Sequence, residues 1–232
     1  TRQVMLKGEA ESLKAFLVAT AKSGHDFSGA DLPGCSLVAA QLKGLGFSRA
    51  NFSRANLAAA ILDQCDLSAV NFTRALLTKA SLKQANLSES NFTGADLSLA
   101  NLESATIVNA DLYWSTMIGT DFSRADLSQT NLSKSNATAA NFSEAELFWA
   151  DLGGVNLTLA NLKGAVLTVA NLSRAWLMRS DFTGATLAGA DLSGAQLMEA
   201  NFTGADLTDA NLIGANLTGA IFENCDMTRV KK

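Results

Sequence analysis

The chain has 232 residues, of which 48% are hydrophobic, 7% aromatic and only 17% charged. That length can bury a substantial core in one or two domains. A net charge of −4 and a single histidine argue against a nucleic-acid binder driven by counterion release and against histidine-based acid–base or metal chemistry. No apolar run approaches the roughly 18 residues of a membrane span, so we expect no membrane partner.

The first 24 residues are predicted to form a capping segment. Residues 9–22 place apolar side chains on one face of a short helix, and Gly24 can end it. We expect this helix to cover the open end of the domain that follows. A signal peptide is the rival interpretation, which the short apolar run and the acids before it disfavour.

From residue 25 to residue 229 the sequence repeats every five residues without an insertion. Stepping by five from Phe27 to Met227 gives 41 central positions, of which forty hold Leu, Phe, Ile or Met and one holds Ala137. The residue two before the centre is Ala 28 times, and the residue just before it is Asn 15 times and Asp 12 times. A period of five fits neither a helix nor a flat strand, so the backbone must turn once per pentapeptide.

The residue types predict which positions face inward. We expect the central residue and the small residue two before it to fill the interior. Asn and Asp, whose side chains bind nearby backbone groups, are expected at the corners. The two remaining residues of each pentapeptide are then left to face solvent.

This pattern, as in Ala50-Asn51-Phe52-Ser53-Arg54, resembles the pentapeptide-repeat family, whose consensus is Ala-(Asp/Asn)-Leu-x-x. The resemblance implies an all-β fold, a right-handed quadrilateral β-helix with four pentapeptides per coil, and hence about ten coils over 25–229 with a short tail at 230–232. All ten central Phe residues fall in three columns of positions that differ by multiples of 20. This spacing independently supports a 20-residue coil and predicts stacked rings.

No catalytic residue, cofactor site or metal site is predicted. The three cysteines, Cys35, Cys65 and Cys225, occupy the small position of the pentapeptide, at spacings that are too large for a disulfide. We therefore expect buried core thiols. This use of cysteine fits a reducing compartment, and we expect a cytoplasmic protein.

Five aromatic residues occupy outward positions where the consensus places none: Tyr113, Trp114, Phe148, Trp149 and Trp176. Exposed large aromatic side chains are enriched at binding hot spots, and local packing against neighbouring side chains is the alternative. The leading prediction is a non-enzymatic rod of bacterial type that acts as a protein-interaction or adaptor module, with these five residues as its partner site.

Charge suggests two further functions. Arg54, Arg74, Lys134 and Arg174 share one column with Trp114 between them, and such a basic column could contact nucleic acid, although scattered solvated charge is the simpler interpretation. The family resemblance also implies a DNA-mimicking modulator of a type II topoisomerase (gyrase), as in the quinolone-resistance proteins. That mechanism needs an acidic surface, whereas the outward positions hold seven acids against twelve bases.

The C-terminal end carries no predicted cap. The last coil ends at 225–229, without the terminal helix of the resistance relatives, and an open coil end presents unpaired strand edges. We expect either a homodimer through this coil or a continuation in a longer chain.

Overall fold

The structure, a computed structural model, describes residues 13–15, 17 and 26–232. Over 26–232 the chain forms no extended strands. Isolated parallel bridges join residues twenty apart, from Asp26 with Gly46 to Asn211 with Lys231. Each coil therefore has 20 residues and four turns, which confirms the predicted coil length, and about ten coils stack at ~4.8 Å into a rod. The right-handed sense stays a prediction from the resemblance.

The four flat faces of the rod are named by their central residues. Face I has centres at 27 and every twentieth residue to 227, face II at 32 to 212, face III at 37 to 217 and face IV at 42 to 222. The two residues after each face I centre form corner I/II. Corners II/III, III/IV and IV/I follow in the same way.

Hydrogen bonding explains why Asn or Asp precedes the centre. In a typical pentapeptide the N–H groups of Ala50, Asn51, Phe52 and Arg54 donate to backbone carbonyls at 2.8–2.9 Å, three of them in neighbouring coils. The fifth N–H, that of Ser53, donates to Oδ1 of Asn51 at 3.0 Å. The Asn or Asp side chain thus satisfies the one N–H group that the backbone ladder leaves unpaired.

The predicted corner position of Asn and Asp is therefore wrong. These residues form the bridges of the flat faces, and the corners consist of the two residues that follow the centre. Asp26 shows the arrangement, because its Oδ1 accepts bonds from the hydroxyl of Ser28 at 2.6 Å and from the N–H of Ser28 at 2.9 Å. The acidic side chains are consequently displayed along the faces, exposed at Asp66 and half-buried at Asp126.

Every corner carries a residue with positive φ. The last residue of all 41 pentapeptides has φ between 52° and 74°, with glycine at 13 of these positions and another residue at 28. The N–H of the residue after the corner donates to the carbonyl of the central residue and closes a turn, as Ala30 does to Phe27 at 3.0 Å. Positive φ at the third residue of a turn is typical of type II turns. A non-glycine residue there is strained by about 1 kcal/mol.

Stacked central side chains fill the axis of the rod. The Phe columns stack as predicted, with ring centroids 4.8 Å apart for Phe72–Phe92 and for Phe182–Phe202. The alanines two before the centres are buried over most of the rod. Buried hydroxyls and thiols at that position bind carbonyls, as Cys65 does with Leu42 at 3.0 Å.

The described part of the N-terminal segment packs on the first coils. Residues 13–15 and 17 are helical, Leu13 and Leu17 are buried in the common core, and Lys14 Nζ donates to the carbonyl of Val38 at 2.8 Å. The other residues of the predicted segment 1–24, and His25, lie outside the described residues. The helix bounds at 9–22 and the domain limits at 24 and 229 stay predictions.

Corner strain can be tested at two neighbouring alanines. Ala59 has a φ of 55°, whereas Ala58 precedes it in the same turn without a positive φ. We expect Ala59→Gly to stabilise the protein by up to about 1 kcal/mol because it removes the strain, and to raise the melting temperature by roughly 2–4 °C. The matched control Ala58→Gly should destabilise by about 0.5–1 kcal/mol. Equal effects of the two substitutions on thermal unfolding would contradict the strain.

The small centre Ala137 offers a second test. Its coil keeps the usual bonds, because the Ala137 N–H donates to the Asn156 carbonyl at 2.8 Å and the Ala137 carbonyl accepts from the Ala140 N–H at 3.1 Å, as in other coils. We expect Ala137→Leu to be tolerated or to stabilise by up to about 2 kcal/mol through added burial. Ala140→Leu, at an equally buried small position, should cost about 1–3 kcal/mol by overpacking. A large fall in melting temperature for Ala137→Leu would refute the prediction.

Candidate interaction surface

Exposed apolar side chains concentrate on one side of the rod. We define the basic side as face III with corners II/III and III/IV. Of the fourteen large apolar side chains that are exposed in the described chain, nine lie on this side. They are Val38, Leu76, Leu99, Tyr113, Trp114, Ile118, Leu159, Trp176 and Ile213.

The structure divides the five predicted aromatic residues between two sides. Tyr113 and Trp114 lie at corner II/III and Trp176 on face III, three coils further along. Phe148 and Trp149 lie at corner I/II, with ring centroids 5.9 Å apart. All five are exposed, and the indoles most strongly: 66% for Trp114, 61% for Trp149 and 52% for Trp176. Only the first three residues therefore share a side.

Trp114 stands in a column with arginine. A Cβ atom at Gly94 would lie 3.5 Å from Cγ of Arg74 and 4.0 Å from Cε3 of Trp114. Both side chains thus border the same glycine, which leaves a gap between the aliphatic part of Arg74 and the indole of Trp114. At the other corner, Leu99 lies over Gly119, where its Cδ2 would be 3.0 Å from an added Cβ.

The basic side carries a net charge of +4. It holds six bases against two acids, Asp96 and Glu199. Glu199 is bound by Arg179 at 2.7 Å, and that hydrogen bond and the Arg179 charge lower the pKa of the Glu199 carboxyl. The other five bases form no ion pair within the described chain. They are Arg54, Arg74, Lys79, Lys134 and Arg174.

The predicted basic column thus lies on this side, since four of these bases share corner II/III. They are Arg54, Arg74, Lys134 and Arg174, and all are exposed.

The charge is opposite on face I, across the rod from face III, and on face II, next to corner II/III. We define the acidic side as faces I and II with corner I/II, which hold twelve acids against four bases when the terminal Lys231 and Lys232 are counted, a net charge of −8. The acids are Asp26, Asp31, Asp66, Glu89, Asp111, Asp126, Glu146, Asp151, Asp191, Asp206, Asp209 and Asp226. Hydrogen bonds lower the pKa of three of these carboxyls: the bond from the Ser28 hydroxyl for Asp26, that from Arg229 for Asp209 and that from the Thr228 hydroxyl for Asp226. Phe148 and Trp149 lie in this acidic setting.

Corner IV/I neutralises its own charges. Lys43, Asp63, Lys83 and Glu103 alternate in sign up one column. Lys83 Nζ binds Glu103 at 3.1 Å, and Arg124 also binds Glu103. This ladder is an internal stabiliser of the corner and offers a partner little unpaired charge.

At two positions on face III, the residue before the centre cannot accept a hydrogen bond from the backbone N–H two residues later. Where Asn or Asp normally precedes the centre, face III has Leu76 and Trp176, whose side chains contain no acceptor for the N–H two residues later. Each substitution forgoes an interaction worth about 1 kcal/mol and leaves a large apolar group in solvent, 45% exposed for Leu76. Repeat stability alone does not account for these two residues.

The chain offers few groups for covalent or metal chemistry. Burial raises the pKa of the Cys35 and Cys65 thiols to about 11, and Cys225 donates to the carbonyl of Phe202 at 2.6 Å. Within residues 13–15, 17 and 26–232 no cluster of His, Cys, Asp and Glu could hold a metal ion. Over the same part of the chain, no helix is both long and apolar enough to cross a membrane.

Sequence reasoning missed the aliphatic part of this surface. Leu76, Leu99, Ile118 and Leu159 occupy outward positions and look like ordinary variation when pentapeptides are compared one by one. Arranging the outward residues by multiples of 20, as was done for the central Phe residues, would have placed them beside Trp114. The partition of the acids was missed because these residues were assigned to corners.

Comparison with known proteins agrees with this architecture. The family model for pentapeptide repeats matches in eight copies, with matches at 50–88, 65–103, 80–119, 107–144, 145–184, 177–212 and 195–231. A search of the curated proteins finds no match.

Similar solved structures include HetL and a variant of QnrB1. HetL is a pentapeptide repeat protein involved in heterocyst differentiation regulation from the cyanobacterium Nostoc sp. strain PCC 7120. It is 30% identical with a TM-score of 0.72, and the match covers 98% of this chain and 95% of HetL. The other is a trypsin-treated variant of QnrB1, a plasmid-mediated fluoroquinolone resistance protein. It is 19% identical with a TM-score of 0.56, covering 82% of this chain and 90% of QnrB1. The repeat, its 20-residue coil and these matches show that the chain belongs to the pentapeptide-repeat family.

Proposed function

We propose that this chain is a non-enzymatic rod that binds protein partners through its exposed aromatic and apolar side chains. The observation that carries the proposal is the concentration of nine exposed apolar residues on one side. Exposed apolar surface of this extent on a folded protein is typical of an interaction site. A rigid β-helix holds such side chains in fixed positions, which suits an adaptor.

The polar groups support a role without catalysis. The buried hydroxyls are engaged in the fold, as Ser115 Oγ is with Leu112 at 2.7 Å and Thr120 Oγ1 with Leu97 at 2.7 Å. The raised pKa of about 11 for Cys35 and Cys65 keeps these thiols protonated at neutral pH, whereas a nucleophilic cysteine needs a thiolate.

The likeness to HetL favours a regulatory role. HetL is involved in heterocyst differentiation regulation. We place the present chain in the same broad class, as a cytoplasmic protein whose N-terminal helix covers the first coil. Pairing of two copies through the last coil remains a prediction.

The acidic side favours a second candidate, the DNA-mimicking modulator of a type II topoisomerase. A net charge of −8 on two adjacent faces and the corner between them supports the negative surface that such mimicry needs, and the sequence alone did not reveal it. Inhibition of supercoiling by the purified chain would favour this candidate. Nucleic-acid contact through the basic column is less well supported, because the acidic side repels the phosphate backbone.

Removing the aromatic side chains tests the leading proposal. We expect proximity labelling in the native cell to recover specific proteins around the wild-type chain. With Trp114→Ala, Trp149→Ala and Trp176→Ala combined, their labelling should fall at least about fivefold, since aromatic hot spots commonly contribute more than about 1 kcal/mol each. The control combines Val166→Ala and Ile221→Ala, which removes exposed apolar groups from faces I and IV.

The proposal fails if the triple variant labels the same proteins to the same extent as the wild type. Equal thermal unfolding of the wild type and both variants shows that the comparison concerns the surface alone.

A further inference from the structure

We propose that the basic side is the docking surface for an acidic segment of a partner protein that carries apolar side chains. This inference rests on the proposed function and specifies the partner's chemistry. It selects Trp114 and Trp176 over Trp149 as the anchors, because only the first two lie among unpaired bases.

The apolar residues of this side require an apolar partner. Leu99 and Leu159 are 58% and 53% exposed at corner III/IV, and Trp176 on face III and Trp114 at corner II/III are exposed as well. Aliphatic side chains gain nothing from phosphate groups, whereas burying them against Leu, Ile or aromatic side chains removes apolar surface from water. This observation favours a polypeptide over nucleic acid.

The charges around these residues require an acidic partner. Five bases of this side have no carboxylate partner within the described chain, and they flank the apolar residues along both corners. Acidic residues on a partner would complete these pairs and set its orientation. A second copy that used the same side would place bases against bases, which is repulsive.

A cost to stability supports a binding role for both tryptophans. Trp114 has a φ of 56° in a column where five other coils have glycine. Trp176 replaces the Asn or Asp that caps the turn. Restoring the repeat consensus at either position should therefore stabilise the rod, so each tryptophan has a cost to stability that a docking role explains.

The length of the surface sets the size of the segment. Leu76 and Trp176 are five coils apart on face III, about 24 Å at the spacing of hydrogen-bonded strands. A helix of about 16 residues covers that distance at 1.5 Å per residue. Random 16-residue peptides are therefore suitable probes.

The experiment is a selection from a random 16-residue peptide library on the immobilised full chain. We expect the enriched peptides to combine a negative net charge with Leu, Ile, Phe or Trp. Synthetic copies of these peptides should bind more weakly as NaCl rises from 50 to 500 mM, because salt screens the exposed charges. Duplex DNA and phosphatidylserine vesicles are the comparison ligands.

Consensus substitutions separate binding from folding. Trp114→Gly combined with Trp176→Asn should raise the melting temperature and weaken binding of the selected peptides at least about tenfold. Trp149→Gly relieves the same strain, at a φ of 58°, on the acidic side, and it should leave peptide binding unchanged. Arg74→Glu with Arg174→Glu should also abolish binding, whereas the control Arg49→Glu at corner I/II should not.

Each alternative outcome overturns the inference. Enrichment of basic or uncharged peptides, dependence on Trp149, tighter binding of DNA or vesicles, or lateral self-association of the chain would each assign the basic side to another occupant. If basic peptides are selected and their binding is lost with Trp149→Gly, the acidic partner is refuted. The proposed function, a rod that binds proteins through exposed aromatic side chains, would still stand. Failure of the proximity-labelling comparison would instead remove the proposed function itself.

Discussion

Hydrogen bonds between neighbouring coils hold every coil at 20 residues. The central N–H donates to a carbonyl 19 residues later, as Phe72 does to Asn91 at 2.7 Å, and the residue before the centre donates back to the preceding coil. One extra residue would shift all later N–H groups away from their acceptors. The unbroken register from Phe27 to Met227 is therefore a physical requirement, and residues twenty apart must share a column.

Because residues twenty apart lie in one column, the rod has sides that differ in charge and in exposed apolar residues. The central and small positions are nearly invariant because they fill the axis, so variation is confined to three outward residues per pentapeptide. The charges and apolar side chains at these positions accumulate along the rod, since each column contains about ten side chains in line. Net charges of +4 on the basic side and −8 on the acidic side arise in this way from a chain whose total charge is only −4.

Some outward residues oppose the stability of the repeat. Twenty-eight corners hold a non-glycine residue at positive φ, and the tolerance for this strain comes from the hydrogen-bond ladder and the stacked core. Trp114 and Trp149 are the largest side chains in such positions. Trp176 replaces the Asn or Asp whose side chain would accept a bond from the backbone N–H two residues later. The rod can accommodate these residues because its many identical interactions supply stability that single sites can lose.

The family resemblance implied the 20-residue coil, and the spacing of the central Phe residues supported it independently and predicted the stacked rings. The sequence did not predict that Asn51 and its equivalents lie on flat faces, because only the structure shows which N–H group lacks a backbone acceptor. The positive φ was equally hidden, as only 13 of 41 corner positions are glycine. The aromatic residues were found individually, but their grouping with Leu99 and Leu159 required the faces to be defined.

A five-residue insertion tests most directly whether the shared side creates the binding surface. Inserting Ala-Asn-Leu-Ser-Gly between Gly154 and Val155 preserves the pentapeptide register but moves Trp176 from face III to face IV, away from Trp114. The same insertion between Gly214 and Ala215 leaves both tryptophans on the basic side. The measurement is the affinity of a selected acidic peptide for the two folded variants. We predict a loss of about tenfold or more for the first insertion and wild-type affinity for the second. Equal affinities would contradict the account.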